Sequence, residues 1–150
     1  MPGTYSQILY HIVFSTKHRK PWITADLAER LYPMLGGFIR AQKGMLYQIG
    51  GIEDHVHLYL RWRTDETVSE LMRDVKSNSS KWVHETFLPL SEFAWQEGYS
   101  VFTVSKSKEP AVKRYIETQA EHHKKVDFKA ELLWLLREQG VEFDERYVFD

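Results

Sequence analysis

Apolar and polar residues alternate most clearly in the stretch Gly50 to Trp62, GGIEDHVHLYLRW. Val56, Leu58, Leu60 and Trp62 fall on one face of an extended strand, and His55, His57, Tyr59 and Arg61 on the other. The same period runs through residues 5–16, where Ile8, Tyr10, Ile12 and Phe14 make an apolar face dotted on its reverse by Gln7, His11 and Ser15. Residues 45–52 form a further strand that turns through Glu53 and Asp54 into the histidine strand. So short a connection makes the two an antiparallel hairpin. Residues 93–105, FAWQEGYSVFTVS, read as a strand region broken at Gly98.

Helical spacing fills the intervals. Thr24 is the N-cap of a helix with Leu27, Leu31, Met34, Leu35 and Phe38 on one stripe, and Pro33 either kinks it or marks its first turn. Thr67-x-x-Glu70 is a capping box opening a helix with Val68, Leu71, Met72, Val75, Trp82 and Val83 inward. Ser107 and Pro110 start a helix over about 111–124, with Val112 and Ile116 as its buried stripe. A last helix covers roughly 129–139 and stops at Gly140. The order β-α-β-β-α-β-α-α is that of an α+β chain. Its first six elements predict a ferredoxin-like sandwich of the RNA-recognition-motif kind, an antiparallel sheet with helices on one face, followed by extra C-terminal helices.

Composition narrows the class. A chain of 150 residues, 43% hydrophobic and 27% charged, predicts one domain over residues 1–150 with a continuous core. No apolar run approaches the ~18 residues of a membrane span, and no signal-peptide pattern opens the chain, so a cytoplasmic setting is expected. Cysteine is absent, which excludes disulfides, thiol nucleophiles and thiolate-bound zinc. The net charge of −1 hides an asymmetry. Basic residues gather at Lys17 to Lys20, Arg61, Arg63, Lys76, Lys81, Lys106, Lys108, Lys113, Arg114, Lys124 and Lys125, and acidic ones in the tail at Glu138, Glu142, Asp144, Glu145 and Asp150. A local basic surface binds phosphates whatever the total charge.

Two positions carry candidate chemistry. His55 and His57 point the same way from one strand, ~7 Å apart, close enough to share a metal ion; a pair of polar residues on a wet strand face would look the same. In the helix after Ser107, Tyr115 and Gln119 share a face, with His122 and His123 a turn further. Lys113, Arg114, Lys124 and Lys125 flank them, which makes a polar, basic helix face with no evident packing purpose.

Asp54-His55-Val56-His57, the WQEGYSVFTVS stretch, and Tyr115-x-x-x-Gln119 with His122-His123-Lys-Lys resemble the single-tyrosine HUH transposases of bacterial insertion sequences. That group is the insertion-sequence-200-like family with its relatives associated with repetitive extragenic palindromes. The resemblance covers nearly the whole chain. It implies a ferredoxin-like fold acting on single-stranded DNA with hairpin ends, His55, His57 and Gln119 as ligands of Mg²⁺ or Mn²⁺, and Tyr115 as the nucleophile of a 5′-phosphotyrosine intermediate. It also implies a homodimer, and in some relatives the tyrosine of one chain serves the histidines of the other. The long segment between His57 and Tyr115 would allow such sharing here.

Other roles stay open at this level. Asp54 either orients a histidine or only closes the turn. His122 and His123 replace Gln119 as ligand, contact phosphate, or form a solvated helix end. Lys17, Arg19, Arg61, Lys76, Lys81 and Lys106 are candidate backbone contacts to DNA. Tyr99 and Phe102 either stack on bases or belong to the core; His11 and His84 are expected to be structural. Two other functions compete with the transposase: a non-catalytic nucleic-acid-binding regulator of the same fold, and a metal-dependent phosphodiester hydrolase.

Overall fold

The computed structural model describes residues 2–149; Asp150 of the acidic tail lies outside them. The elements are β1 (Ile8–Ser15), α1 (Ala25–Ala41), β2 (Met45–Ile52), β3 (His55–Trp62), α2 (Val68–Thr86), β4 (Ser100–Thr103), α3 (Glu109–Glu117), α4 (Gln119–His122) and α5 (Phe128–Glu138). The strands form one antiparallel sheet in the order β2-β3-β1-β4, which is the ferredoxin-like arrangement. The two strands with the cleanest alternation, β1 and β3, are its centre.

Pairing register decides what each face holds. Ile12 stands opposite Leu58, and Phe14 opposite Val56. With Leu60 and Trp62 they bury against Leu27, Leu31, Leu35 and Ile39 of α1 and Leu71, Met72, Val75 and Val83 of α2. Both helices start where their caps require: Thr24 Oγ1 accepts from the Leu27 amide, and Thr67 Oγ1 from the Glu70 amide. α1 runs unbroken through Pro33, whose ring stands on the exposed side where it displaces no packing.

The reverse face is not wet. Val13 and Phe102 pack with Phe128, Leu132, Leu135 and Leu136 of α5, while Leu9 and Tyr59 pack with Ile116 of α3. The extra C-terminal helices therefore cover the histidine-bearing face of the sheet. Gly140 follows α5 with φ +68°, the left-handed residue that ends a helix.

Two boundaries differ from expectation. The strand expected over 93–105 is ordered as β4 only at 100–103, with an isolated bridge from Trp95 to Thr16 upstream. Trp95 turns into the core and donates its indole N–H to Ser79 Oγ, so the segment before Gly98 serves packing rather than the ladder. The helix expected over 111–124 breaks at Thr118 (φ −97°, ψ 22°), whose hydroxyl bonds back to the Arg114 carbonyl. Among the described residues no helix is long and apolar enough to cross a membrane.

Candidate functional site

β3 presents His55 and His57 to the covered face, and both are fully buried. α3 crosses above them at close range because β2 carries glycine at position 50, opposite His57. A Cβ at Gly50 would overlap the Ile116 carbonyl oxygen. Gly50→Ala should therefore lift α3 off the sheet and lower stability by about 1–3 kcal/mol, read by thermal unfolding. An unchanged midpoint would show that the helix does not depend on this approach.

Residue 116 follows Tyr115, so the same contact sets the tyrosine over the histidines. The Tyr115 and His57 rings lie 5.6 Å apart, edge to face. After the break at Thr118, α4 turns Gln119 inward, where it is buried and its Oε1 lies 3.0 Å from His55 Nε2. Phe128, at the start of α5, stacks on the His55 ring at 4.2 Å and closes the far side.

A residue outside the expected set joins them. Glu131 of α5 is buried, and its Oε1 lies 3.1 Å from His57 Nε2, 3.2 Å from His55 Nε2 and 3.1 Å from His123 Nε2. Its Oε2 accepts from Gln119 Nε2 at 2.9 Å and from the Tyr115 hydroxyl. Burial alone would raise this carboxyl, but hydrogen bonds from His123, His55 and His57 hold it far below the usual carboxylate range. The sequence did carry a signal for Glu131. It sits on the stripe Phe128, Leu132, Leu135, Leu136, where an unpaired carboxylate could not be buried.

The histidines divide in character. Burial would lower His55, yet hydrogen bonds to Asp54 and Glu131 and the charge of Glu131 prevail, and its pKa rises to about 9. Both its nitrogens face acceptors, Nδ1 toward Asp54 Oδ1 at 2.8 Å, so Asp54 orients this ring as well as closing the turn. Desolvation pushes His57 down to about 4 and His11 down to about 3, so both are neutral at pH 7. His11 Nε2 lies 2.8 Å from His57 Nδ1. With His57 Nε2–H donating to Glu131, His57 Nδ1 accepts from His11. His11 is thus part of the site, missed because a polar residue between Tyr10 and Ile12 reads as strand surface until the sheet register is known.

His122 and His123 fall differently. His123 Nε2 reaches both Gln119 Oε1 at 2.9 Å and Glu131, whereas His122 Nε2 is a buried atom with no hydrogen-bond partner, 3.5 Å from Glu131 Oε2. Among the described residues two groups of three side chains place ligand atoms within 4.8 Å of one another, His55–His57–Glu131 and His122–His123–Glu131.

The basic candidates scatter. Lys17 and Arg19 lie in the turn after β1, tied to the same end of the site by the Thr16 amide bonding to the Asp54 carbonyl. Arg61 is at the other end of β3. Lys76 and Lys81 are on α2, across the sheet. The Lys76 ammonium donates to the carbonyls of Gln96, Glu97 and Gly98, which makes it a clasp on that loop. Lys106 is paired with Glu109. Phe102 is buried on the site face and Tyr99 packs against the opposite core.

The structure also brings Tyr115 to the histidines of its own chain. The segment from 57 to 115 is spent on α2 and on the return through β4, which delivers α3 back over the sheet, so its length does not carry the tyrosine away.

Residues 4–119 match the model of the family described as Transposase IS200 like. The chain is 26% identical over 123 residues to the ISDra2 transposase TnpA of Deinococcus radiodurans, covering 78% of this chain and 87% of that protein. It is 29% identical over 121 residues to the transposase for insertion sequence element IS200 of Salmonella typhimurium, covering 77% and 78%. A solved Deinococcus radiodurans chain described as a transposase matches with TM-score 0.66 and 23% identity, over 79% of this chain and 95% of that one. A REP-associated tyrosine transposase bound to a REP hairpin matches with TM-score 0.61 and 12% identity, over 84% and 74%. At such identities the two structures speak to the fold.

Proposed function

Because the chain belongs to the IS200-like transposase family, we propose that it cuts and rejoins single-stranded DNA. Tyr115 is the nucleophile, and a divalent cation is held by His55, His57, Glu131 and Gln119. The observation that carries this reading is the position of one carboxylate: Glu131 touches both strand histidines, the amide of Gln119 and the hydroxyl of Tyr115. A nucleophile and a set of ligands then share one anchor.

The residues fit a metal ion. Nε2 of His55, Nε2 of His57 and a Glu131 oxygen converge within ligand distance of one another, and Gln119 Oε1 lies beside them. Mixed nitrogen and oxygen donors suit Mn²⁺, and cellular availability favours Mg²⁺. Such a cation supplies charge screening and polarisation of a phosphodiester bound there.

The protein's own groups do the rest. Desolvation and the neighbouring Glu131 charge raise the Tyr115 pKa above that of an ordinary phenol, so the hydroxyl keeps its proton until attack. The hydroxyl donates to Glu131 Oε2, which orients it. A carboxylate held so far below its usual range does not keep the proton, which passes to solvent as the bond to phosphorus forms. In-line attack by Tyr115 Oη forms the bond to phosphorus and breaks the bond to the 3′ oxygen. The departing 3′ oxygen takes up a proton from solvent, which leaves a free 3′-hydroxyl on one strand end and a 5′-phosphotyrosine on the other. The linkage conserves the phosphodiester, so another 3′-hydroxyl can reseal the strand. Lys17 and Arg19 are placed to take backbone phosphates at the Asp54 end.

Single-stranded DNA from the flanks of the chain's own gene should be cut with Mn²⁺ or Mg²⁺, left intact with chelator, and cut again when metal is restored. Cutting that survives chelation contradicts the metal assignment, and binding without cutting on every flank favours a regulator of the same fold. In this reading one chain supplies both Tyr115 and the histidines, so mixing His57→Ala with Tyr115→Phe protein should restore no cleavage. Rescue would mean that chains exchange the tyrosine.

A further inference from the structure

We propose that the cleft beside Tyr115 is a nucleobase pocket, holding one base of the single strand whose neighbouring phosphate lies at the tyrosine. The inference rests on the reading of Tyr115 as nucleophile and adds to it a protein-built subsite for the strand.

The cleft lies between β4, α3 and α5, has a volume of about 580 Å³, and is walled on the site side by Tyr115 and His11. That volume is within the range of small-ligand pockets and suits a nucleoside rather than an ion. Phe102, Val104, Val112 and Leu135 make its floor apolar, which disfavours a bare phosphate and suits a planar, largely uncharged ring.

Trp134 gives the cleft an exposed aromatic wall. α5 buries Phe128, Leu132, Leu135 and Leu136, yet Trp134 on the same helix is 52% exposed and forms part of the cleft wall. Its ring lies 6.4 Å from that of Tyr115. An exposed indole beside an apolar floor is a stacking platform, and stacking tolerates any base.

The rim completes the match. Lys108 stands there, exposed, as a cation for the phosphate that joins a seated base to the next nucleotide. Ser105 and Gln139 offer donors and acceptors to a base edge. Thr103 is paired with Tyr10 and so turns its side chain to the other sheet face; what it brings to the cleft is the backbone edge of β4, the last strand of the sheet. Because the cleft and the Tyr115 hydroxyl are served by one side chain, a base seated here fixes which phosphate the hydroxyl meets.

The test uses fluorescein-labelled pentamers of deoxythymidylate, deoxyadenylate and deoxycytidylate, titrated into the full chain with chelator and followed by anisotropy and tryptophan emission. Wild type should bind at least one pentamer with quenching of tryptophan emission. Trp134→Ala should weaken that binding about tenfold, and Trp134→Phe should keep the affinity within about threefold while losing the quench. Ala111→Phe, at an exposed position on the cleft, should weaken binding by blocking it. If Trp134→Ala and Ala111→Phe bind as wild type does, or wild type binds no pentamer, the pocket is overturned, whether or not wild type cuts the flanks of its own gene. Sedimentation gives a further arm: self-association of wild type that Ala111→Phe abolishes would assign the cleft to a second copy and also overturn the proposal. Failure of the tyrosine reading would show instead as flank DNA bound, with the Trp134 quench, and never cut.

Discussion

Tyr115→Phe is expected to bind single-stranded DNA and to cut none of it, with the rate falling by at least about a thousandfold. The substitution keeps the ring that packs between His11, His57 and Trp134 and removes only the hydroxyl bonded to Glu131. Loss of that one bond to a charged group should change stability by about 1–3 kcal/mol, too little to unfold a typical domain, so an inactive but folded protein is the informative outcome. A hydrolase that uses the same histidines to activate water would survive the change. Continued cutting by Tyr115→Phe would move the function to that class, and circular dichroism on the same sample guards against misreading an unfolded variant.

The second large effect belongs to Glu131→Gln. Six side chains converge on this carboxylate: His55, His57, His122, His123, Gln119 and Tyr115. An amide of the same size accepts through one oxygen only, and its NH₂ must point at groups that are themselves donors. Glu131→Gln should lose about 3 kcal/mol of stability, bind Mn²⁺ at least about a hundredfold more weakly, and cut more slowly in proportion. Calorimetry of Mn²⁺ binding and thermal unfolding read the first two separately. If the variant binds Mn²⁺ and cuts as wild type does, Glu131 is neither a ligand nor the group that orients the Tyr115 hydroxyl.

The contrast between these two residues shows how much was legible before the structure. Tyr115, His55, His57 and Gln119 are conspicuous because spacing puts polar groups together within one strand and one helix, and period-two and i,i+4 arguments are local. The hairpin β2–β3 and the caps at Thr24 and Thr67 were legible for the same reason, since each is written in adjacent residues. Glu131 and His11 join the site from elements 70 or more and 40 or more residues from the strand histidines, as their hydrogen bonds to His57 show. No periodicity reports such a contact. The covering of the histidine face by α3 and α5 belongs to the same class of fact. A strand with His, His, Tyr and Arg on one side reads as solvent-facing unless the later helices are known to pack there. The break at Thr118 was hidden for another reason. Threonine is tolerated inside helices, and only its bond back to Arg114 and the inward turn of Gln119 show that the helix ends.

A covalent bond between Tyr115 and DNA adds a nucleotide's mass to one peptide, and that mass can be read. Wild-type protein incubated with flank DNA and Mn²⁺ would be denatured, digested with trypsin and nuclease, and analysed by mass spectrometry. The expected product is the peptide containing Tyr115 with a 5′-linked nucleotide phosphate on the tyrosine, absent when chelator is present, and a free 3′-hydroxyl on the released strand. Cut strands with no nucleotide on any peptide, and a free 5′-phosphate in solution, would contradict it.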